Sequence, residues 1–148
     1  AGMWVYPYED DAEHVIYNMV NGLLLRPYMS GMVWKLGEES MNLLAEGVAC
    51  YKEIREDIRQ ALPFFPLGLN GIKDKALAYG LRKGKTAYLA VLLPGTNEVE
   101  IPLSLGEIDS TEVIYPKKGE CEFTYTDSVL KVRMPAEKTA RLFRMNLK

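Results

Sequence analysis

Three consecutive carboxylates, Glu9, Asp10 and Asp11, are the densest run of acid–base groups in the sequence. Hydrolysis of a glycosidic bond uses two carboxyl groups facing each other across a sugar, about 5 to 9 Å apart. Adjacent residues entering a helix point in different directions, so this run reads as a helix start. Asp10 with Glu13 three residues later fits a capping box, and the helix dipole favours negative charge there. His14, the only histidine, has no Ser or Cys beside it and reads as a structural or surface residue. Ser30-Gly31 lacks the G-x-S-x-G frame of a nucleophile elbow. Neither phosphate-binding glycine pattern, G-x-x-x-x-G-K or G-x-G-x-x-G, occurs. Cys50 and Cys121 read as two reduced, partly buried thiols rather than a disulfide framework. One histidine and no C-x-x-C supply no zinc ligand set. The sequence therefore predicts no catalytic residue, no metal site and no cofactor.

The aromatics are more suggestive. Trp4, Tyr6 and Tyr8 alternate just before the first helix, and Trp34 follows the Ser30-Gly31 turn. Aromatic faces are apolar platforms with polar tips, and sugars present CH-rich faces that stack on them. The same spacing also suits residues that seal a core or an interface.

The elements that must position these groups change character once along the 148 residues. Ala12, Val15, Ile16, Met19, Val20 and Leu23 recur at helical spacing, which predicts a helix from about Asp11 to Asn21 with Gly22 as its stop. Leu23 to Met29 suits a buried strand followed by a turn at Ser30-Gly31, although Pro27 cannot donate a ladder bond. Met41, Leu44, Val48, Tyr51, Ile54, Ile58 and Leu62 form one apolar stripe, predicting a second helix over 38–62 that Pro63 ends. Residues 63–75, with Pro63, Pro66, Gly68 and Gly71, read as a linker loop. From residue 76 the period becomes two, as in Val99, Ile101, Leu103 and Leu105, or Leu130, Val132 and Met134. Ala87 to Leu93 is apolar throughout, as expected of a strand covered on both faces. Six to eight short strands at this spacing predict an antiparallel sandwich or barrel. The fold class is thus α+β: two amphipathic helices, then an antiparallel β-sandwich domain over 76–148.

Three segments resemble melibiase-type α-galactosidases, glycoside hydrolase family 36 and its relatives. They are Trp4-Val5-Tyr6-Pro7, Asn21-Gly22-Leu23-Leu24-Leu25-Arg26-Pro27-Tyr28-Met29-Ser30-Gly31, and Ala49-Cys50-Tyr51-Lys52-Glu53-Ile54-Arg55. The Pro66-Leu67-Gly68 loop and the closing Ala140-Arg141-Leu142-Phe143-Arg144-Met145 are similar too. The resemblance implies a (β/α)8 barrel followed by a C-terminal β domain. Residues 1–62 would then be a remnant of barrel strands 7 and 8 and helices 7 and 8. Barrel active sites lie at the C-terminal ends of the strands, so the resemblance implies that Trp4, Tyr6, Ser30 and Gly31 sit at the rim of a sugar pocket. The family's catalytic aspartates stand on earlier strands, and neither motif occurs here. The chain is therefore expected to be inactive alone, and to complete and cap the barrel of a parent enzyme.

The resemblance implies the rest of that barrel and an α-galactoside-type carbohydrate as partners. A barrel closes by pairing all eight strands, so the lone barrel strand is expected to pair elsewhere or lie across the β domain. Exposed barrel faces favour a homo-oligomer. A net charge of −2 argues against nucleic acid. No run of about 18 apolar residues spans a membrane. The Ala-Gly-Met opening suggests a cut or processed end, and a cytoplasmic location is expected over a secreted one. The alternative is a stand-alone carbohydrate-binding or protein-interaction β module, with Tyr79, Tyr88, Tyr115, Phe123 and Tyr125 as its candidate platform.

Overall fold

The computed structural model describes residues 2–69 and 71–148. Ala1, the first residue of the expected barrel remnant, and Asn70, in the expected linker, lie outside the described residues. The chain opens with a β-α-β-α segment: β1 (Gly2–Val5), α1 (Ala12–Leu23), β2 (Arg26–Met29) and α2 (Glu38–Ile58). β1 and β2 pair in parallel, with Trp4 opposite Tyr28 and Val5 opposite Met29. The expectation that the remaining barrel strand pairs elsewhere or lies across the β domain is corrected here. The two strands find each other because α1 supplies the crossover that a parallel pair requires.

Several boundaries differ from the sequence reading, each for a local reason. Gly22 does not stop α1. It is buried because a Cβ there would come within 2.6 Å of Val5 Cγ2, so the helix packs directly on the strand below it. Leu23 and Leu24 are buried at the helix end, and the strand that follows covers only Arg26–Met29, with an exposed rather than buried pattern. Asp10 and Glu13 do not form a capping box. Asp11 is the N-cap, accepting a hydrogen bond from the His14 amide at 2.8 Å.

The second helix ends at Ile58 rather than residue 62. Its buried face is Ser40, Leu44, Gly47, Cys50 and Ile54, whereas Met41 and Val48 of the expected stripe are exposed. Small residues set this rotation. A Cβ on Gly47 would lie 2.5 Å from Met19 Cε and 3.3 Å from the Tyr115 ring, so glycine brings α2 close to both α1 and the sheet. The expected loop at 63–75 begins with part of β3 (Leu62–Phe64), which joins the sheet edge, the position where Pro63 is tolerated.

The remaining strands are β4 (Leu77–Lys83), β5 (Thr86–Leu93), β6 (Glu98–Pro102), β7 (Ile108–Tyr115), β8 (Glu122–Thr126), β9 (Val129–Arg133) and β10 (Thr139–Leu147). They form a five-stranded sheet in the order β3-β4-β5-β10-β7 and a three-stranded sheet in the order β6-β9-β8. All pairs within these two sheets are antiparallel. The molecule is α+β, with helices on one face of the larger sheet and the smaller sheet on the other.

The apolar run of β5 explains this layering. Tyr88, Ala90 and Leu92 point into the core shared with α1 and α2. Ala87, Leu89, Val91 and Leu93 point into the core shared with β6 and β9. Each fully buried Leu or Phe contributes about 2 kcal/mol, whereas an exposed ion pair such as Arg133–Glu98 contributes less than about 1 kcal/mol. The two apolar cores therefore dominate the surface pairs.

One charged residue joins the layers. Arg141, on the central strand β10, is fully buried. Its guanidinium makes a bidentate pair with Glu13 of α1, at 2.8 and 2.7 Å, and also donates to the backbone oxygens of Ala140 and Glu120. Its Nε has no partner among the described residues. Removing one member of such a pair strands a charge away from water. Glu13→Ala is therefore expected to lower the unfolding free energy by about 3 kcal/mol in urea titrations, and the double change Glu13→Leu with Arg141→Met to recover most of that loss. A drop below about 1 kcal/mol for Glu13→Ala would reduce the pair to the standing of a surface contact.

Candidate aromatic site at the strand ends

The C-terminal ends of β1 and β2 carry the four residues expected at a sugar-pocket rim. The Ser30 amide donates to the Val5 carbonyl at 3.0 Å, which extends the parallel ladder by one bond and fixes the two strand ends together. Gly31 follows with φ +90, and a Cβ there would come within 3.1 Å of the Tyr6 ring. Glycine is required twice over at this position, by the left-handed backbone and by the ring beside it. Tyr6 and Gly31 are thus in contact, with half-buried Ser30 next to them. Trp4 is one pleat back along β1. It is 69% exposed and its ring centroid is 6.1 Å from that of Tyr28.

Beyond the strand ends, Tyr6, Tyr8, Asp10, Met32, Lys35 and Leu36 line a cavity of about 320 Å³. Tyr6 and Tyr8 have ring centroids 6.4 Å apart, and Tyr8 meets the edge of His14 at 4.3 Å. His14 Nε2 lies 3.2 Å from Asn18 Nδ2, so the histidine props the aromatic wall. Of the four expected rim residues, only Tyr6 lines this cavity.

Asp10 has a role that sequence reasoning missed. Its Oδ1 accepts from the Gly37 amide at 2.9 Å and from Ser40 Oγ at 2.6 Å. Gly37 is the N-cap of α2 and has no side chain with which to cap it. A carboxylate from 27 residues away therefore serves the orphan amide at that helix start. The Ser40 hydroxyl, and then the Gly37 amide, hold the Asp10 carboxyl below its ordinary value of 3.8. A contact this distant leaves no local spacing signal. The lack of a capping side chain at Gly37 is the one trace it leaves in the sequence.

The arrangement offers aromatic faces, one anchored carboxylate and one lysine. Such a set suits stacking against and hydrogen bonding to a polar ligand. No group of three or more His, Cys, Asp or Glu able to hold a metal occurs among the described residues. Both thiols are free, and burial first of all raises Cys50 and Cys121 to about 11.

The five aromatics of the alternative module are placed differently. Tyr88 and Tyr115 are buried, and Phe123 packs edge-on against Phe143 with centroids 5.4 Å apart. Tyr79 and Tyr125 are half-buried. The Tyr79 hydroxyl donates to the Asn21 carbonyl at 2.8 Å, Tyr88 to Asp57 at 2.8 Å, and Tyr115 to the Leu43 carbonyl at 3.1 Å. These three rings fasten the sheet to the helices and are not an exposed platform. A shallow recess of about 500 Å³ on the three-stranded sheet is lined by cross-strand pairs, including Glu98 with Arg133 and Glu100 with Lys131, the ordinary arrangement of a solvated sheet face.

No protein-family model and no curated protein matches the chain. Solved structures do share its fold. An α-amylase from Anoxybacillus superposes with a TM-score of 0.64 at 12% identity, over 92% of this chain and 33% of its own. An α-amylase from Geobacillus thermoleovorans, complexed with acarbose, gives 0.61 at 11% identity, over 93% of this chain and 34% of its own. A GH30 endoxylanase from Clostridium papyrosolvens gives 0.52 at 13% identity, over 98% of this chain and 42% of its own. These neighbours are glycoside hydrolases, and the likeness is one of fold. The chain spans about a third of the length of the two amylases.

Two measurements follow from the site. Asp10 is depressed in the folded state, so its contribution is complete above the unfolded value and is lost as pH falls below 3.8. Asp10→Asn is expected to lower the melting temperature at neutral pH and to flatten its decline through that acid range. A wild-type-like acid slope in the variant would count against the clamp. Native Cys50 and Cys121 are expected to resist iodoacetamide at neutral pH and to react once urea unfolds the chain. Rapid labelling of Cys50 in the folded protein would contradict its burial.

Proposed function

We propose that the chain is the non-catalytic C-terminal region of a glycoside hydrolase, completing and capping a (β/α)8 barrel whose earlier strands carry the catalytic carboxylates. The observation that carries this reading is the β1-α1-β2-α2 segment. Its two strands are parallel, are covered by helices on one face, and expose Trp4, Tyr6 and Tyr28 on the other. Parallel sheets are stable when both faces are covered. A parallel pair open on one face and at both edges has the form of an arc cut from a barrel. Fold similarity to glycoside hydrolases over about a third of two amylase chains supports the same assignment.

Within that class, the resemblance of the Leu25 to Gly31 and Tyr51 to Arg55 segments favours a melibiase-type α-galactosidase. Tyr6, Ser30 and Gly31, with Trp4 behind them, then border the mouth of the barrel. In that position aromatic faces contact the sugar while the aspartates of other strands perform the displacement. The β-sandwich beneath the helices holds the last two βα units in place through Arg141 and the three tyrosine hydroxyls.

The decisive experiment is to sequence the reading frame upstream of the Ala1 codon. It is expected to encode six further strand–helix units with two aspartates at strand ends. The chain as it stands is expected to give no turnover of a chromogenic α-galactoside. A stop codon directly upstream, or purified activity that co-elutes with this chain, would overturn the reading.

A further inference from the structure

Two loops leave the C-terminal ends of β1 and β2, and the cavity described above lies between them. The first loop supplies Tyr6, Tyr8 and Asp10, and the second supplies Met32, Lys35 and Leu36. The cavity is therefore formed by two neighbouring loops without help from any other segment. At about 320 Å³ it stands at the low end of the roughly 300–1,000 Å³ usual for small-molecule sites, which gives room for one ring rather than an extended chain.

The Tyr6 and Tyr8 centroids are 6.4 Å apart, with 41° between the ring planes. A flat ligand between two rings needs about 7 Å, so a ligand lies against this tilted pair rather than between its members. Tyr8 is backed by His14, whose ring meets it edge-on and whose Nε2 accepts from the Tyr8 amide at 3.4 Å. The platform is thus set before anything binds. Two polar groups at the cavity are free. Asp10 Oδ1 is occupied by the Gly37 amide and the Ser40 hydroxyl, whereas Oδ2 has no hydrogen bond among the described residues. Lys35 Nζ has neither a hydrogen bond nor an ion pair among the described residues. One free acceptor and one free donor of opposite charge suit a neutral ligand with several hydroxyls. An anionic ligand would be opposed by Asp10, and a cationic one by Lys35.

We infer that this cavity binds one neutral pyranose ring, its CH face stacked on Tyr8 and Tyr6 and its hydroxyls hydrogen-bonded to Asp10 Oδ2 and Lys35 Nζ. The choice of a sugar rests on the glycoside hydrolase reading. In a barrel the reacting groups stand at the strand ends, whereas all six residues here lie past Val5 and Met29, in the loops. The ring held between the loops is therefore a unit other than the one whose bond is cut. Such a site selects oligosaccharides over simple glycosides.

Sugar titrations of the isotope-labelled chain, with backbone amides followed by NMR, test it. Galactose and glucose are expected to bind with dissociation constants on the order of millimolar, as one ring with few contacts allows, and to shift amides in the two loops that line the cavity. Sorbitol, which carries hydroxyls but no ring face, and the anionic glucuronate are expected to bind more weakly. Tyr8 and Lys35 are exposed, so their variants are expected to fold, which circular dichroism checks. Tyr8→Ala is expected to weaken binding roughly tenfold and Lys35→Met about fivefold, whereas Tyr8→Phe and Trp4→Ala keep most of it. If Tyr8→Ala fails to fold, Lys35→Met and the sorbitol comparison decide. No shift with either hexose, equal binding of sorbitol, or affinity unmoved by Lys35→Met would each overturn the site. The upstream reading frame tests the barrel reading separately. Hexose binding with no barrel encoded there would keep the site and overturn the oligosaccharide role, and a barrel encoded there with no hexose bound would overturn the site alone.

Discussion

A guanidinium with no access to water governs how this molecule is assembled. Arg141 stands on β10, between β5 and β7, and a positive charge there is sustainable only if carboxylate and carbonyl oxygens converge on it. Glu13 supplies two of those oxygens from the first turn of α1, and Glu120 supplies a backbone carbonyl from the segment leading into β8. Three parts of the chain far apart in sequence must therefore meet at one point. A helix register displaced by a single residue would turn Glu13 by about 100° around the axis and leave the charge unpaired. The pair thus sets the rotation of α1, and with it the direction in which β1 and β2 run beneath that helix.

Three tyrosines repeat the same device with neutral groups. Tyr79 reaches the C-terminal end of α1, Tyr115 a carbonyl inside α2, and Tyr88 the carboxylate of Asp57 in the last turn of α2. Asp57 lies where the helix dipole is unfavourable to negative charge. The Tyr88 phenol and Lys83 both bond to it and hold its carboxyl below the usual range. Apolar burial supplies most of the energy in this layer, but it is non-directional. The directional bonds are what select one placement of the helices from the many that would cover the same Leu and Val side chains.

Much of this was legible in the residues, and the failures share a cause. The period-two runs marked the sandwich, and the unbroken apolar run of Ala87 to Leu93 marked a strand with two covered faces, because both signals are local. The buried face of α2 was misread because Gly47 and Ser40 carry no hydrophobic weight, although their small size lets α2 approach Met19 and Tyr115. Asp10 was assigned to its own helix because a capping box is a short-range pattern, whereas its partners lie 27 and 30 residues away. Arg141 stands in the closing segment that carries the resemblance, but nothing in the sequence marked it as a buried, paired charge. A lone arginine in a strand pattern ordinarily marks the solvent face, and its partner Glu13 is 128 residues distant. Of the four residues expected at the rim, Tyr6 alone lines the candidate cavity, which Trp4, Ser30 and Gly31 do not. Met32, Lys35 and Leu36 could not be named from sequence, because the turn that folds them back over Tyr6 is visible only in three dimensions.

The aromatic face is the observation on which the proposed assignment of this segment to a larger sheet rests. A protein surface accommodates scattered apolar side chains without difficulty. Here, however, the exposed aromatics cluster: Trp4 on β1 lies opposite Tyr28 on β2, and Tyr6 follows just past the end of β1. The other side of the same strands is ordered down to the level of methyl groups, with Val5 fully buried and no room beside it for even a Cβ on Gly22. One face is thus packed to the density of an interior while its reverse is left wet. That imbalance is foreign to a finished parallel sheet. Under the proposed barrel assignment the imbalance has a simple cause, since the helix-facing side closes with the residues of this segment and the other side would need further strands.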